Sequence, residues 1–289
     1  MNESKHLGKN TAYPKHYDPT VLVAVPRQKN RGIYGIEEGC LPFTGVDIWH
    51  AYEVGFLTRK GLPVTGLLKL AYSCESPFLI ESKSLKLYLN SFNMEPFGET
   101  PEESAEMVLG IIRHDLEATL RTQVNLTLYR EGKTWKHDFH HYQIIEDIPG
   151  IEHQTFEEYT EKPELLMPGK NTGEEIKLGT HLLRSNCKVT HQPDWGSAFI
   201  CLKGAEVPDK FGVVKYLVSL RNETHFHEEI CEMVYKRLWD RFSPEKLMVA
   251  CIYTRRGGID ICPVRASHPE LFPENLTDVE KLSGKLLRQ

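Results

Sequence analysis

Tyr88-Leu89-Asn90-Ser91 returns later in the chain as Tyr216-Leu217-Val218-Ser219, and Asp47 with Ala51-Tyr52 returns as Asp194 with Ala198-Phe199. A weak echo of this kind predicts two copies of one unit. The elements around the echoes are of both types and show no regular strand-helix-strand alternation. That points to an α+β fold and away from a doubly wound parallel sheet. Residues 64–72, 123–130, 179–190 and 196–203 read as strands. In Val124-Asn125-Leu126-Thr127-Leu128 the apolar residues alternate, as on a sheet with one wet face. Helices are predicted over 82–92, from Pro101 onward, over 212–221 and over 227–242. Thr100 can cap, Pro101 suits the first helical position, and Glu103 completes a capping box. Val108, Ile112, Leu116 and Leu120 then form one apolar stripe. A strand from Leu247 to Arg256 turns at Gly257-Gly258 and returns through Ile259-Asp260-Ile261, because glycines accept the positive φ of a tight hairpin.

The stretch 145–178 is acidic and broken by Pro149-Gly150, Pro163, Pro168-Gly169 and Gly173. It reads as the connection between the units. Residues 1–20 are polar and read as a loose or draped tail.

The 289 residues are 40% hydrophobic and 26% charged, with a formal net charge of −5. These are the proportions of a globular protein with no broad basic surface, so direct nucleic-acid binding is not expected. The start, Met1-Asn2-Glu3-Ser4-Lys5, leads into no apolar run, so neither a secretory signal nor a membrane span is expected. The seven cysteines are scattered and contain no CxxC pair. A cytoplasmic protein without a disulfide framework or a cysteine-rich metal site follows.

Three short runs carry candidate chemistry. Cys187 is flanked by Arg184 and Lys188, with Asp194 seven residues on. Nearby positive charge lowers a cysteine's pKa, and a carboxylate can serve as a proton donor, so the run has the make-up of a tuned nucleophile. The bland reading is a small buried apolar residue. In 82–92, Leu85, Tyr88, Leu89 and Phe92 share one face, while Lys83, Lys86 and Asn90 share another. The second face is either simply solvated or a phosphate site, with Ser82, Ser84 and the helix N-terminus as donors. Glu228 follows Phe226-His227, and with Glu229 it either complements the helix dipole or offers a carboxylate to a guanine-like edge. His50, His140 and His141 lack metal-ligand spacing and read as core or surface histidines. No glycine-rich dinucleotide or P-loop motif is present.

Together these runs closely resemble the 7-cyano-7-deazaguanine reductases, the NADPH-dependent nitrile reductases of queuosine biosynthesis, in their long form. The matching residues are Glu81-Ser82-Lys83-Ser84-Leu85-Lys86-Leu87-Tyr88, Ser185 to Gly196, Phe226-His227-Glu228, and Tyr253 to Gly258. The resemblance implies two tandem tunnelling-fold units with antiparallel sheets and helices on one face. Residues 1–165 would carry the Glu-Ser-Lys-Ser cofactor motif, and 166–289 the catalytic Cys, Asp and His-Glu. It implies a covalent thioimide on Cys187, proton donation by Asp194 and proton shuttling by His227. Leu79, Ile80, Glu81, His227 and Glu228 would hold the deazapurine. Glu81, Ser82, Lys83, Lys86, Arg256 and Gly257 would meet NADPH, used twice as cosubstrate, and no metal is implied. A homodimer is expected because tunnelling folds need partners for their sheet edges. Two rival classes remain at this stage: a thiol hydrolase of nitriles or amides, and a non-catalytic purine-binding protein of the same fold.

Overall fold

The computed structural model describes residues 14–169 and 173–289. The first half opens with β1 (Ala24–Pro26), α1 (Gln28–Ile33), β2 (Thr44–Thr58), β3 (Pro63–Ser73) and β4 (Phe78–Ile80). It continues with α2 (Ser82–Ser91), β5 (Pro96–Phe97), α3 (Pro101–Leu120), β6 (Val124–Tyr129), β7 (Thr134–Trp135) and β8 (Gln143–Ile144). The second half holds β9 (Glu175–Cys187), β10 (Pro193–Lys203), α4 (Lys210–Ser219), β11 (Thr224–His225) and α5 (His227–Phe242). The chain closes with β12 (Lys246–Tyr253), β13 (Ile259–Ala266), α6 (Glu274–Thr277) and β14 (Leu282–Ser283). The part of the expected tail in residues 1–13 lies outside the described residues. Tyr17 beyond it is docked, its hydroxyl donating to Asp115 at 2.6 Å and its ring packing on Phe92.

One ten-stranded sheet runs β11-β9-β10-β12-β13-β2-β3-β6, with β5 and β8 added beside β2 and β9. Its long ladders are antiparallel; the short pairs β11–β9, β8–β9 and β5–β2 are parallel. The halves join through β13 and β2, paired from Ile259↔Ala51 to Ala266↔Thr44. Alternation along these strands sends side chains to two cores. Trp49, Ile259 and Ile261 point to the face covered by α2 and α3, and Val249 and Cys251 to the part of that face covered by α4 and α5. Ile48, Ala250 and Cys262 point to the other face, under Phe139 and the C-terminal segment.

The echo of Tyr88 in Tyr216 marks equivalent places, since α2 and α4 each follow a long hairpin. Ser91 Oγ donates to the Tyr88 carbonyl at 2.6 Å, and Ser219 Oγ does the same to Tyr216 at 2.7 Å. The Asp47 and Asp194 echo does not: Asp47 lies on the first strand of its hairpin and Asp194 on the second. Thr100 caps α3 through the Glu103 N–H at 3.2 Å, but Glu103 reaches back to the Glu99 N–H at 2.7 Å, one residue earlier than a capping box requires. The predicted strand 179–190 ends early, at Cys187, because residues 188–192 fold into a tight turn.

A buried charge network ties the halves together. Arg265 on β13 donates to Asp47 on β2 at 2.8 Å and to Glu232 on α5 at 2.9 and 3.1 Å. Arg31 on α1 grips the same glutamate at 2.7 and 2.9 Å, and Arg27 bonds Asp47. Burial opposes ionisation of both carboxylates, but the surrounding guanidiniums outweigh it and hold them below the usual carboxylate range.

Candidate active site

Cys187 is the last residue of β9. Its N–H donates to the Gln192 carbonyl at 2.8 Å, and its carbonyl accepts from His191 N–H at 2.9 Å. His191 takes a left-handed φ of 56°, uncommon for a residue with a Cβ, so the turn that ends on the thiol is closely constrained. The flanking cations expected to tune the thiol are directed elsewhere. Arg184 is one position out of phase with Ser185 and Cys187, so strand alternation puts it on the opposite face, over the Trp195 ring. Lys188 is held by Glu229 at 2.8 and 3.1 Å. Glu229 also accepts the Phe226 N–H at 2.9 Å, so it caps α5 and ties that helix to the turn beside Cys187.

Asp194 lies on β10 opposite Ser185 and is 6% exposed. Its Oδ2 is 3.3 Å from His227 Nε2 and its Oδ1 is 2.7 Å from Arg256 Nη1. His227 begins α5, with its ring stacked on Tyr253 at 3.9 Å between centroids. Arg256 sits at the base of the Gly257-Gly258 turn, whose φ values of 60° and 78° confirm the expected hairpin. The β12–β13 ladder stops at Ala250↔Val264, one position short of Pro263, which has no N–H to give, and pairing resumes as a single bridge at Arg256↔Ile259. The site opens at this interruption.

Two adjoining spaces meet at Cys187. The outer cleft, about 200 Å³, is lined by Ser82, Lys83, Lys86, Arg256 and Gly257. An inner pocket of about 20 Å³ is lined by Trp49, Ile80, Asp194, Phe226 and Glu228, and Glu81 and His227 border both spaces. Trp49 Nε1, Glu228 Oε1 and His227 Nδ1 are buried there without a hydrogen-bond partner among the described residues. Burial, reinforced by the Asp47 carboxylate, pushes Glu228 up to about 8.

The structure thus brings Cys187, Asp194, His227, Glu228, Ile80 and Glu81 together, with Ser82, Lys83, Lys86, Arg256 and Gly257 alongside. Leu79 pairs with Val25 and lines neither space. The α2 N-terminus does not offer itself to phosphate, because Glu81 fills it, accepting the Lys83 and Ser84 N–H groups at 3.0 and 2.7 Å. Ser84 is buried, its hydroxyl donating to the Glu81 carbonyl. Trp49, Thr190, Gln192 and Thr254 line the site without having been picked out from the sequence. Trp49 sits mid-strand beside the echoed Asp47, and only its orphaned indole N–H marks it. On the far sheet face, His50, Asp260 and Cys262 form a cluster that could hold a cation. Lys285 places its ammonium 3.2 Å from both His50 Nδ1 and Asp260 Oδ2, so that charge is met from within the chain.

Fold and site define an α+β protein with a thiol, a carboxylate and an imidazole gathered beside a basic cleft at the junction of two halves. Residues 13–128 match the family model described as nitrile reductase, 7-cyano-7-deazaguanine-reductase N-term, and residues 193–271 match a QueF-like protein model. The chain is 40% identical over 278 residues to a protein of Cupriavidus metallidurans, covering 95% of this chain and 97% of that one. It is 39% identical over 275 residues to one of Chromohalobacter salexigens (95% of each chain) and 37% over 287 residues to one of Delftia acidovorans (95% and 97%). All three are named NADPH-dependent 7-cyano-7-deazaguanine reductase. The chain belongs to this family of nitrile reductases.

Proposed function

We propose that this chain reduces the nitrile of 7-cyano-7-deazaguanine to the aminomethyl group of 7-aminomethyl-7-deazaguanine, using two NADPH, as a step of queuosine biosynthesis. The observation that carries this reading is the convergence on one pocket of a thiol, a carboxylate–imidazole pair and buried polar atoms without partners. A deazaguanine edge supplies two N–H donors to the Glu228 carboxylate, and its ring carbonyl can accept from donors such as Trp49 Nε1.

A nitrile carbon is a poor hydride acceptor, so Cys187 adds to it first. The sulfur bonds to carbon, one C≡N π bond opens onto nitrogen, and nitrogen takes a proton from Asp194. That proton is the one lost by the thiol, relayed to Asp194 by His227, and the thioimide is neutral. NADPH bound in the cleft would supply two hydrides, its phosphates facing Lys83, Lys86 and Arg256, with Glu81, Ser82 and Gly257 beside them. Arginine suits a 2′-phosphate because its planar fork pairs bidentately with phosphate oxygens. After the first reduction the C–S bond breaks, Cys187 leaves as thiolate, and the resulting imine is reduced to the amine. Each reduction takes up one proton, which His227 and Asp194 are placed to deliver.

The two halves read as tandem tunnelling-fold units, residues 1–165 and 166–289, each with a long hairpin followed by two helices and a return to the sheet, through β6 in the first and β12–β13 in the second. Among the described residues β6 leaves a sheet edge open, which a homodimer would cover. No helix among the described residues is long and apolar enough to cross a membrane, and all seven cysteines are free, which suits a cytoplasmic enzyme. Purified protein should oxidise NADPH only when 7-cyano-7-deazaguanine is present, with two NADPH consumed per amine formed. Release of an amide or acid without NADPH oxidation would instead identify a thiol hydrolase.

Glu228 gives a prediction with two opposite signs. Its proton is held up to about pH 8 in the folded chain, against an ordinary value of 4.5. The folded state therefore binds a proton that the unfolded state has already released, and stability falls as pH rises from 4.5 through 8. Glu228→Gln should be more stable than the wild type at pH 8, by an amount on the order of a few kcal/mol, and equal to it near pH 4.5. Above pH 8, where the carboxylate is ionised, the same variant should bind the deazaguanine at least about tenfold more weakly, because an amide cannot accept both N–H donors. Thermal unfolding across pH and calorimetric titration check both. A pH-independent stability difference would place Glu228's burden elsewhere.

A further inference from the structure

Arg256 borders both spaces at once, and its guanidinium is 2.7 Å from Asp194 Oδ1. The Asp194 side chain is 5% exposed and the Arg256 side chain 40%, so the cation can leave while the carboxylate cannot. A Cβ on Gly257 would lie 3.3 Å from Lys86 Nζ, so the backbone beside Arg256 runs against the cleft's lysine and the two cations border the same cleft. The other oxygen of Asp194 faces His227 Nε2 at 3.3 Å. Asp194 therefore has a proton-exchange partner on one side and a displaceable cation on the other. While the guanidinium occupies Oδ1, that oxygen is not open to carry the proton that the nitrile nitrogen needs. A phosphate in the cleft is a second, stronger partner for the same guanidinium, since it offers several charged oxygens to the planar fork.

We propose that Arg256 is a positioning residue that ties occupation of the cofactor cleft to proton transfer by Asp194. The guanidinium pairs with Asp194 when the cleft holds no phosphate and with the phosphate when it does. Released, Asp194 takes the proton that Cys187 gives up through His227 and passes it to the nitrile nitrogen as the C–S bond forms. The covalent step is thereby fastest when a hydride donor is at hand. This inference rests on the covalent mechanism above.

The test measures thioimide formation by intact mass, with 7-cyano-7-deazaguanine and no hydride donor, in the presence and absence of 2′,5′-ADP. This probe carries the 2′-phosphate and no nicotinamide. In the wild type, saturating 2′,5′-ADP should accelerate adduct formation about tenfold. In Arg256→Met the adduct should form faster than in the unliganded wild type, and 2′,5′-ADP should no longer change its rate. Arg256→Lys, a cation without the fork, should fall between the two. A gain of rate on removing a side chain is not produced by loss of a merely structural contact. An adduct whose rate ignores 2′,5′-ADP in the wild type, or slows in Arg256→Met, overturns the coupling and leaves the covalent mechanism standing. Absence of any adduct in the wild type overturns both.

Discussion

Cys187→Ala is expected to abolish turnover, with NADPH oxidation falling roughly a thousandfold or more, as removal of a nucleophile generally does. Incubated with 7-cyano-7-deazaguanine alone, the wild type should gain one substrate mass and the variant none. The other cysteines make this a clean experiment. Burial pushes Cys74 and Cys201 up to about 11 and raises Cys231 and Cys262 further, which keeps those thiols protonated and unreactive. Cys40 is exposed and serves as the internal control, since Cys40→Ser should retain both adduct and activity. Binding of substrate to Cys187→Ala should survive, because Glu228 and Trp49 belong to other strands and helices. An adduct that persists in the alanine variant would move the nucleophile elsewhere.

The parts legible in the sequence were those set by local chemistry. Thr100 and Pro101 start α3 because one caps and the other needs no N–H partner, and Val108 to Leu120 are buried as their spacing requires. Gly257-Gly258 turns because both positions need positive φ. The 15-residue β2 is not legible because it is buried through its middle on both faces, and so lacks alternation. The Asp47 and Asp194 echo misled because a carboxylate four residues before Ala-aromatic suits either strand of a hairpin. Arg184 and Lys188 looked like cations for Cys187 because sequence distance ignores strand alternation and competing partners. The cations that do face the thiol's cleft, Lys83, Lys86 and Arg256, come from segments far away in the chain. The resemblance makes Glu81 a ligand-binding residue, and it borders the site, but its carboxylate first satisfies the N-terminus of α2. The network of Arg27, Arg31, Arg265, Asp47 and Glu232 was invisible in sequence, since Arg31 and Glu232 are 201 residues apart.

That network should yield the largest stability change in the protein. Arg265 is fully buried and shared by Asp47 and Glu232, so Arg265→Met removes one cation from two carboxylates that cannot reach water. Breaking a buried ion pair from one side costs about 3–5 kcal/mol, because the partner's charge is left uncompensated. For a chain of this size the melting temperature should fall by roughly 10 °C. Methionine fills much the same volume, so a cavity does not account for such a loss. Arg265→Lys should be intermediate, keeping charge but losing the fork that spans both carboxylates. Adding Asp47→Asn to Arg265→Met should recover part of the stability, which a sum of independent packing defects would not do. The effect should also reach the site. Glu232 lies one turn after Glu228 on α5, so loosening its grip frees the helix that presents both His227 and the base-binding carboxylate. Arg265→Met should therefore weaken deazaguanine binding at temperatures where the variant is still folded. A variant as stable as the wild type would show that Arg27 and Arg31 suffice for the two carboxylates, and that the junction of the halves is held by its β13–β2 ladder alone.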